Sequence, residues 1–257
     1  MADIHITPKQ LQIVLLLYRF RFLNRIHIQT LLNHKDPKRI NTWLKDLTEK
    51  NIIGRHYSNT LKENTKPAIY YLATKAKQIL LTQPDVNQKL LIRVYREKLR
   101  SPKLIDHCLF VADIYFLLNT RAADSGHTLH FYTKTDLVSH NYLPYTRPDA
   151  YIAIQSPEET KRYFLEIIDE GTPRFMLRSK IAQYLEYFDQ QIWSTNTGHQ
   201  NPALLIVCPN DPIKTFLQKH IAQVLEEEGT EILCFLSLRD TLRANGIQAD
   251  TWEAVAA

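Results

Sequence analysis

Apolar residues recur at helical spacing through the first 50 positions of the chain. Thr7-Pro8 predicts a helix start, because Thr caps helices and Pro suits the first helical turn. Asn24 is expected to cap a short second helix, and Asp36-Pro37 to begin a third. The apolar stripes of these three helices are Leu11, Val14, Leu15 and Tyr18, then Ile28, Leu31 and Leu32, and then Ile40, Leu44 and Leu47.

Two short segments with strand character follow the third helix. Residues 51–55 and 67–72 are rich in Ile and Tyr, and a polar turn at 58–66 separates them. Three helices followed by a two-stranded hairpin is the element order of a winged helix, whose third helix enters the major groove of DNA. The sequence therefore predicts a winged-helix DNA-binding domain over residues 1–81.

From residue 104 onward the pattern becomes that of an α/β domain. The predicted elements are a helix at 104–122, strands at 130–132, 149–154 and 162–168, a helix at 174–191, an apolar strand at 204–209, a helix at 212–228 and a strand at 231–236. This is the element order of a restriction-endonuclease-like α/β core. The predicted fold class is α/β (α+β overall), in which a winged helix and a basic connector at 82–101 precede this domain at 102–257.

Charge divides the chain in a similar way. Residues 1–100 contain 19 Lys and Arg against 7 Asp and Glu, whereas the remainder contains 13 against 20. A basic half indicates contact with a polyanion, here double-stranded DNA. The candidate DNA-binding residues lie on the polar face of the third helix and on the wing, and they are Lys35, Lys38, Arg39, Asn41, Thr42, Lys45, Lys62 and Lys66.

The remaining composition excludes some classes of protein. Cys108, Cys208 and Cys234 are widely spaced and stand in apolar contexts, which predicts buried thiols in a reducing compartment. No apolar run approaches the ~18 residues of a membrane-spanning helix, and the amino terminus lacks the basic region of a signal peptide. We therefore expect a cytoplasmic protein without a membrane partner.

A pair of carboxylates in the back half provides the candidate chemistry. Asp149 opens one predicted strand and Glu166 lies on the next, so the two side chains can meet and hold Mg²⁺ or Mn²⁺. His107 is a candidate third metal ligand. In the nuclease pattern Asp…Glu-x-Lys, a lysine stands two residues after the glutamate, and Ile168 takes that position here.

The helix after these strands carries three further candidate catalytic residues. Lys180 is long enough to replace the missing lysine, and Gln183 and Tyr187 lie about one turn apart. The layout resembles a nuclease pattern of His, Asp, Glu-x-Lys and Gln-x₃-Tyr. Structural roles stay open for the same residues, since Glu166 can instead pair with Arg147.

Several of these motifs together resemble one known family. They are Tyr70-Tyr71-Leu72, His107, Arg147-Pro148-Asp149-Ala150, Phe164-Leu165-Glu166, Asp169-Glu170-Gly171-Thr172, Lys180, Tyr184 and Tyr187. The chain is similar over nearly its full length to the replication-relaxation family of plasmids and integrated mobile elements. Members of that family pair a winged helix with a degenerate endonuclease-like domain.

The resemblance implies a function. It implies a DNA-binding protein that acts in plasmid replication, relaxation or transfer, beside a relaxase or a replication protein, and whose nuclease-like domain is inactive. Two alternatives stay open, which are a metal-dependent DNA nuclease and a winged-helix transcriptional repressor. A homodimer is equally an open alternative to a monomer.

Overall fold

The computed structural model describes residues 5–57, 67–228 and 232–255. By internal contacts the chain divides into two compact units, residues 1–113 and 114–257. Each unit combines helices with a β-sheet, so the α/β fold class is confirmed. Among the described residues, none of the helices combines the length and the apolar composition that a bilayer-spanning segment needs.

Three helices of the first unit begin where the sequence predicts. The three predicted helices are α1 (Pro8–Phe20), α2 (Arg25–Leu31) and α3 (Pro37–Glu49), and a short helix that was not predicted, α4 (Ala76–Leu80), follows them. Thr7 caps α1 in a capping box with Gln10, while Asn24 and Asp36 accept hydrogen bonds from the first turns of α2 and α3. These caps satisfy backbone N–H groups that the helices themselves leave without partners.

The buried face of α1 differs in part from the predicted stripe. Ile13 and Leu17 are fully buried, whereas Leu11 and Leu15 are only half-buried. The segment is apolar on several sides, so spacing alone could not select the face that packs inward. In α3 the predicted stripe of Ile40, Leu44 and Leu47 is confirmed, because all three side chains are buried.

In the described part of the first unit, three strands form an antiparallel sheet. They are β1 (Leu23–Asn24), β2 (Ile53–His56) and β3 (Ile69–Leu72), in the order β1-β3-β2. Three helices followed by two paired strands agree with the predicted element order. The assignment of this unit as a winged-helix DNA-binding domain stays a prediction.

The basic segment at 82–101 contains a 3₁₀ helix, Gln88–Leu99, within the first unit. Its residues Leu91 and Val94 are buried, and so is the carboxylate of Glu97. Arg21 donates two hydrogen bonds of 3.1 Å to Glu97. Arg93 and Arg100 lie within 4 Å of the same carboxylate. Four charged side chains therefore tie this segment to the end of α1.

The long helix α5 (Pro102–Asp124) crosses the boundary between the units and leads into the second. In the described part of the second unit, six strands form one mixed sheet in the order β4-β5-β6-β7-β8-β9. They are β4 (Thr128–Thr133), β5 (Ala150–Gln155), β6 (Thr160–Ile167), β7 (Ala203–Cys208), β8 (Cys234–Leu238) and β9 (Glu253–Ala254). β6, β7 and β8 are parallel neighbours, and the other pairs are antiparallel.

Helices α6 (Arg174–Asp189) and α8 (Asp211–Glu228) follow β6 and β7, as predicted. Two short helices and a last strand were missed, namely α7 (Ile192–Thr197), α9 (Arg239–Asn245) and β9, because segments this short carry too few residues for a periodic signal. Short 3₁₀ helices lie at Asp136–Ser139 and Ala249–Thr251.

The main apolar core of the second unit lies between the sheet and these helices. β7 is buried along its whole length, which agrees with its wholly apolar sequence. Side chains from β6, β7 and α6 such as Phe164, Ile206 and Tyr184 belong to this cluster. The free thiols of Cys108, Cys208 and Cys234 are buried as predicted, and burial raises the pKa of Cys208 to about 12.

Candidate functional site

Asp149 and Glu166 lie side by side at the edge of the core. Asp149 stands directly before β5, and its backbone N–H donates to the carbonyl of Leu165 over 2.9 Å. Its carboxylate accepts a 2.9 Å hydrogen bond from the backbone N–H of Ile167, on the far side of Glu166. The two acidic side chains are only 7% and 1% exposed. Adjacent strands thus bring the two predicted carboxylates together.

Helix α6 provides the direct partners of Glu166. Lys180 donates a hydrogen bond to one carboxylate oxygen, and the hydroxyl of Tyr184 donates to the other. The two partners are four residues apart, so both project from one face of the helix. Arg147, an alternative partner in the sequence, instead donates to the carbonyls of Leu137 and Val138 over 3.1 and 3.2 Å.

Burial dominates the electrostatics of this cluster. Burial raises the pKa of Glu166 to about 7; the charge of Lys180 opposes this rise, and that of Asp149 adds to it. Burial lowers the pKa of Lys180, but the charges of Glu166 and Asp149 outweigh it and the net shift is upward. A simple ion pair would lower the pKa of its glutamate. The rise at Glu166 shows that loss of water outweighs the attraction of the lysine, because this carboxyl is almost fully buried.

Lys134 is a member of the site that sequence reasoning missed. Its ammonium lies 3.8 Å from the second oxygen of Asp149, and its backbone N–H donates to the Asp149 carbonyl over 2.9 Å. Lys134 directly follows β4, whose last residue pairs with the first residue of β5. That register could have revealed it, but the sequence alone does not give the strand pairing.

The other predicted catalytic residues lie apart from the contacts of Glu166. Gln183 accepts a 2.7 Å hydrogen bond from the hydroxyl of Thr146. Tyr187 is buried, its ring packs against Phe164 at 6.3 Å, and its hydroxyl has no partner within the described residues. Ile168, at the lysine position of the nuclease pattern, is buried in the apolar core. Of the three predicted catalytic residues of this helix, Lys180 is therefore the one that contacts Glu166.

The oxygen donors of Asp149 and Glu166 suit a hard cation such as Mg²⁺ or Mn²⁺. Both oxygens of Glu166 already accept a hydrogen bond, so a metal would have to share these oxygens with Lys180 and Tyr184. Across residues 5–57, 67–228 and 232–255, no three His, Cys, Asp or Glu side chains are grouped so as to hold a metal ion. His107 lies on α5 in the first unit, and the two carboxylates lie in the second.

The predicted DNA-binding residues of the first unit are exposed on and just before α3. They are Lys35, Lys38, Arg39, Asn41, Thr42 and Lys45. The guanidinium of Arg39 lies 5.9 Å above the half-buried ring of Trp43. Thr42 donates its hydroxyl to the Lys38 carbonyl, and Lys45 lies 3.8 Å from Glu49. The predicted wing residues Lys62 and Lys66 fall outside the described residues.

The fold and this site define a class, which is an α/β protein with a nuclease-like pair of carboxylates and a basic first unit. The family model for replication-relaxation proteins matches residues 15–202, nearly three quarters of the chain. The chain belongs to the replication-relaxation family, as its motifs predict.

Two comparisons with solved structures give weak likenesses. The structure of restriction endonuclease FokI is 11% identical, with a TM-score of 0.36 over 98% of this chain and 47% of that one. The structure of FokI bound to DNA is 10% identical, with a TM-score of 0.32 over 97% of this chain and 48% of that one. This chain thus spans about half the length of those chains. No curated protein matches the sequence.

Proposed function

We propose that this protein binds double-stranded DNA and acts in the replication, relaxation or transfer of a plasmid or mobile element. Membership of the replication-relaxation family supports a role in one of these processes. A relaxase or replication protein is the expected partner. The observation that carries the proposal is that α3 has one apolar, buried face and one polar, basic, exposed face.

The two faces of α3 differ sharply. Ile40, Leu44 and Leu47 are buried, while Lys38, Arg39 and the other polar residues of the opposite face are exposed. Lys and Arg bind phosphates, and Arg and Asn can read base edges in the major groove. The order of a third helix followed by an antiparallel strand pair is that of a winged helix, which supports this proposal.

We infer in addition that the nuclease-like site is inactive. The nuclease pattern has a lysine two residues after the glutamate, and Ile168 at that position carries no charge. Both oxygens of Glu166 are engaged by Lys180 and Tyr184 inside the core, which opposes metal entry. A carboxylate whose pKa is raised by burial is a weak ligand for Mg²⁺ near neutral pH, because the metal binds the ionised form.

The test of DNA binding is an electrophoretic shift of duplex DNA at two salt concentrations. The double substitution Lys38→Glu and Arg39→Glu should weaken binding by about tenfold or more and make the salt dependence shallower. The matched control is Lys9→Glu with Lys75→Glu, two exposed lysines outside α3 with the same change in net charge. Equal affinity of the α3 variant and the wild type would remove α3 from the interface.

A metal-dependent nuclease is the second candidate, and the position of Lys180 favours it. A cation from α6 beside Glu166 supplies the positive charge that Ile168 lacks. In that case Asp149 and Glu166 would hold Mg²⁺ or Mn²⁺, which polarises a phosphate and activates water. Lys180 would then stabilise the charge that develops on the phosphate.

A further inference from the structure

Two arginines of α6 lie over one aromatic ring of α8. The guanidinium carbon of Arg174 lies 4.8 Å from the centre of the Phe216 ring, and that of Arg178 lies 5.4 Å from it. His220 stacks on the same ring, with the ring centres 6.1 Å apart and the planes inclined by 15°. Burial and the charge of Arg178 lower the pKa of His220. The cluster thus places two full positive charges on a single aromatic ring.

Within the described residues, the charge of Glu227 acts on the neighbouring His220, but no ion pair reaches the two guanidinium groups. Neither guanidinium has a carboxylate partner there. Like charges four residues apart on a helix destabilise it. Arg174 is also the first residue of α6, where the helix dipole disfavours a cation. The like charges and the position of Arg174 in α6 are therefore unfavourable in the free protein, and the contacts with Phe216 offset part of that cost.

We propose that Arg174 and Arg178 form a phosphate-binding site for the DNA backbone, a second DNA contact that rests on the proposed function. Guanidinium groups bind phosphate through two parallel N–H donors. A ring beneath each guanidinium fixes its plane and leaves its N–H edges free for such a ligand. A phosphate between the two groups would offset their repulsion.

The site is separate from the carboxylate cluster. Arg174 and Arg178 face α8, whereas Lys180 and Tyr184 face Glu166 on β6. Substitution of the arginines therefore leaves the Asp149 and Glu166 contacts intact. Sequence analysis missed this site because Phe216 is 42 positions from Arg174, and only the packing of α6 beside α8 brings them together.

The test is the double substitution Arg174→Glu and Arg178→Glu in the full chain. Duplex DNA affinity at low salt should fall by about tenfold, and the slope of log affinity against log salt should become shallower by about 1 to 2. The unfolding temperature of the free variant should change little, because both arginines are exposed, two glutamates four residues apart repel as two arginines do, and Glu suits the first turn of a helix. Arg174→Lys with Arg178→Lys should give an intermediate loss, since lysine keeps the charge without the planar fork.

The matched control is Arg121→Glu with Lys161→Glu. These two exposed cations border a pocket of about 390 Å³ on the opposite face of the same sheet, which is also lined by Ile152, Tyr163 and Leu205. The control should retain most of the affinity. Wild-type affinity in the Arg174 and Arg178 variant, or an equal loss in the control, would overturn the proposed site alone. Absence of duplex binding by the wild type would instead refute the proposed function.

Discussion

Lys180 on α6 donates a hydrogen bond to the carboxylate of Glu166 on β6. In the nuclease pattern a lysine stands two residues after the glutamate, and here that residue is Ile168, which is buried in the core. The ammonium of Lys180 thus lies beside Glu166, and its charge also interacts with that of Asp149. Lys180 and Tyr184 each donate a hydrogen bond to one oxygen of Glu166, so both oxygens have a partner within the protein.

The first prediction concerns cleavage. We expect little or no nicking of supercoiled plasmid by the wild type with Mg²⁺ or Mn²⁺, because Glu166 is buried and its pKa is raised to about 7, which disfavours the ionised form that binds a metal. The assay compares the wild type with Asp149→Ala and Lys180→Ala. Weak nicking that neither substitution changes would indicate a contaminant.

Strong nicking by the wild type, lost in both variants, would contradict this prediction and establish the nuclease function. Removal of one electrostatic stabiliser typically costs about 10²–10³ in rate, so the effect of Lys180→Ala would be easy to measure. Lys134→Ala serves as a comparison. The ammonium of Lys134 lies 3.8 Å from Asp149, and among the described residues it makes no hydrogen bond to Glu166.

The second prediction is a pH dependence of stability that Glu166→Gln removes. Burial raises the pKa of Glu166 in the folded protein to about 7, from its ordinary value of 4.5. The folded state therefore holds the proton more tightly than the unfolded state. The contribution of this proton to the free energy of unfolding is complete below pH 4.5 and is lost as the pH rises through 7.

The size of this effect follows from the shift. At roughly 1.4 kcal/mol for each pKa unit, the wild type should lose about 3 kcal/mol at most relative to Glu166→Gln between pH 5 and pH 8. Urea unfolding of both proteins at the two pH values measures the difference. Glu159→Gln, which changes an exposed glutamate paired with Lys161, is the control and should show no such change. A pH-independent difference between Glu166→Gln and the wild type would show that Glu166 does not titrate in this range.

The third prediction concerns the buried glutamate of the first unit. Glu97→Gln should lower the free energy of unfolding by about 2–4 kcal/mol, because three arginines would lose the charge that compensates them. Burial already lowers the pKa of Arg93 to about 10, and the charge of Glu97 opposes that fall. Glu49→Gln removes an exposed partner of Lys45 and should change stability by less than about 1 kcal/mol. Similar small losses in both variants would indicate that the arginine cluster contributes little.

The fourth prediction tests the packing between β2 and β3. Gly54 faces Tyr71, and a β-carbon at Gly54 would lie 2.4 Å from the ring of that tyrosine. Gly54→Ala should therefore cost about 1–3 kcal/mol, since the ring has to move within a packed core. Thermal unfolding measures the loss.

A double-variant cycle shows whether this contact causes the effect. In a Tyr71→Leu background the same glycine substitution should cost clearly less, because the ring is gone. An equal cost in both backgrounds would assign the loss to the backbone of β2 rather than to the tyrosine.

Local signals in the sequence determined much of the fold. Thr7, Asn24 and Asp36 begin the first three helices because their side chains bond to the first turn of the same helix. The wholly apolar β7 is buried on both faces, as its composition predicts. The meeting of Asp149 with Glu166 was also predictable, because consecutive strands usually pair and the two residues stand at matching ends.

Tertiary structure alone decided the partners of these elements. It selected Ile13 and Leu17 as the inner face of α1, and it paired β4 with β5 so that Lys134 reaches Asp149. It also brought Tyr184 to Glu166, and Arg174 to Phe216. The physical reason is common to all four cases. Capping and periodicity are interactions between neighbours in the chain, whereas these contacts depend on how distant elements pack, which no local pattern encodes.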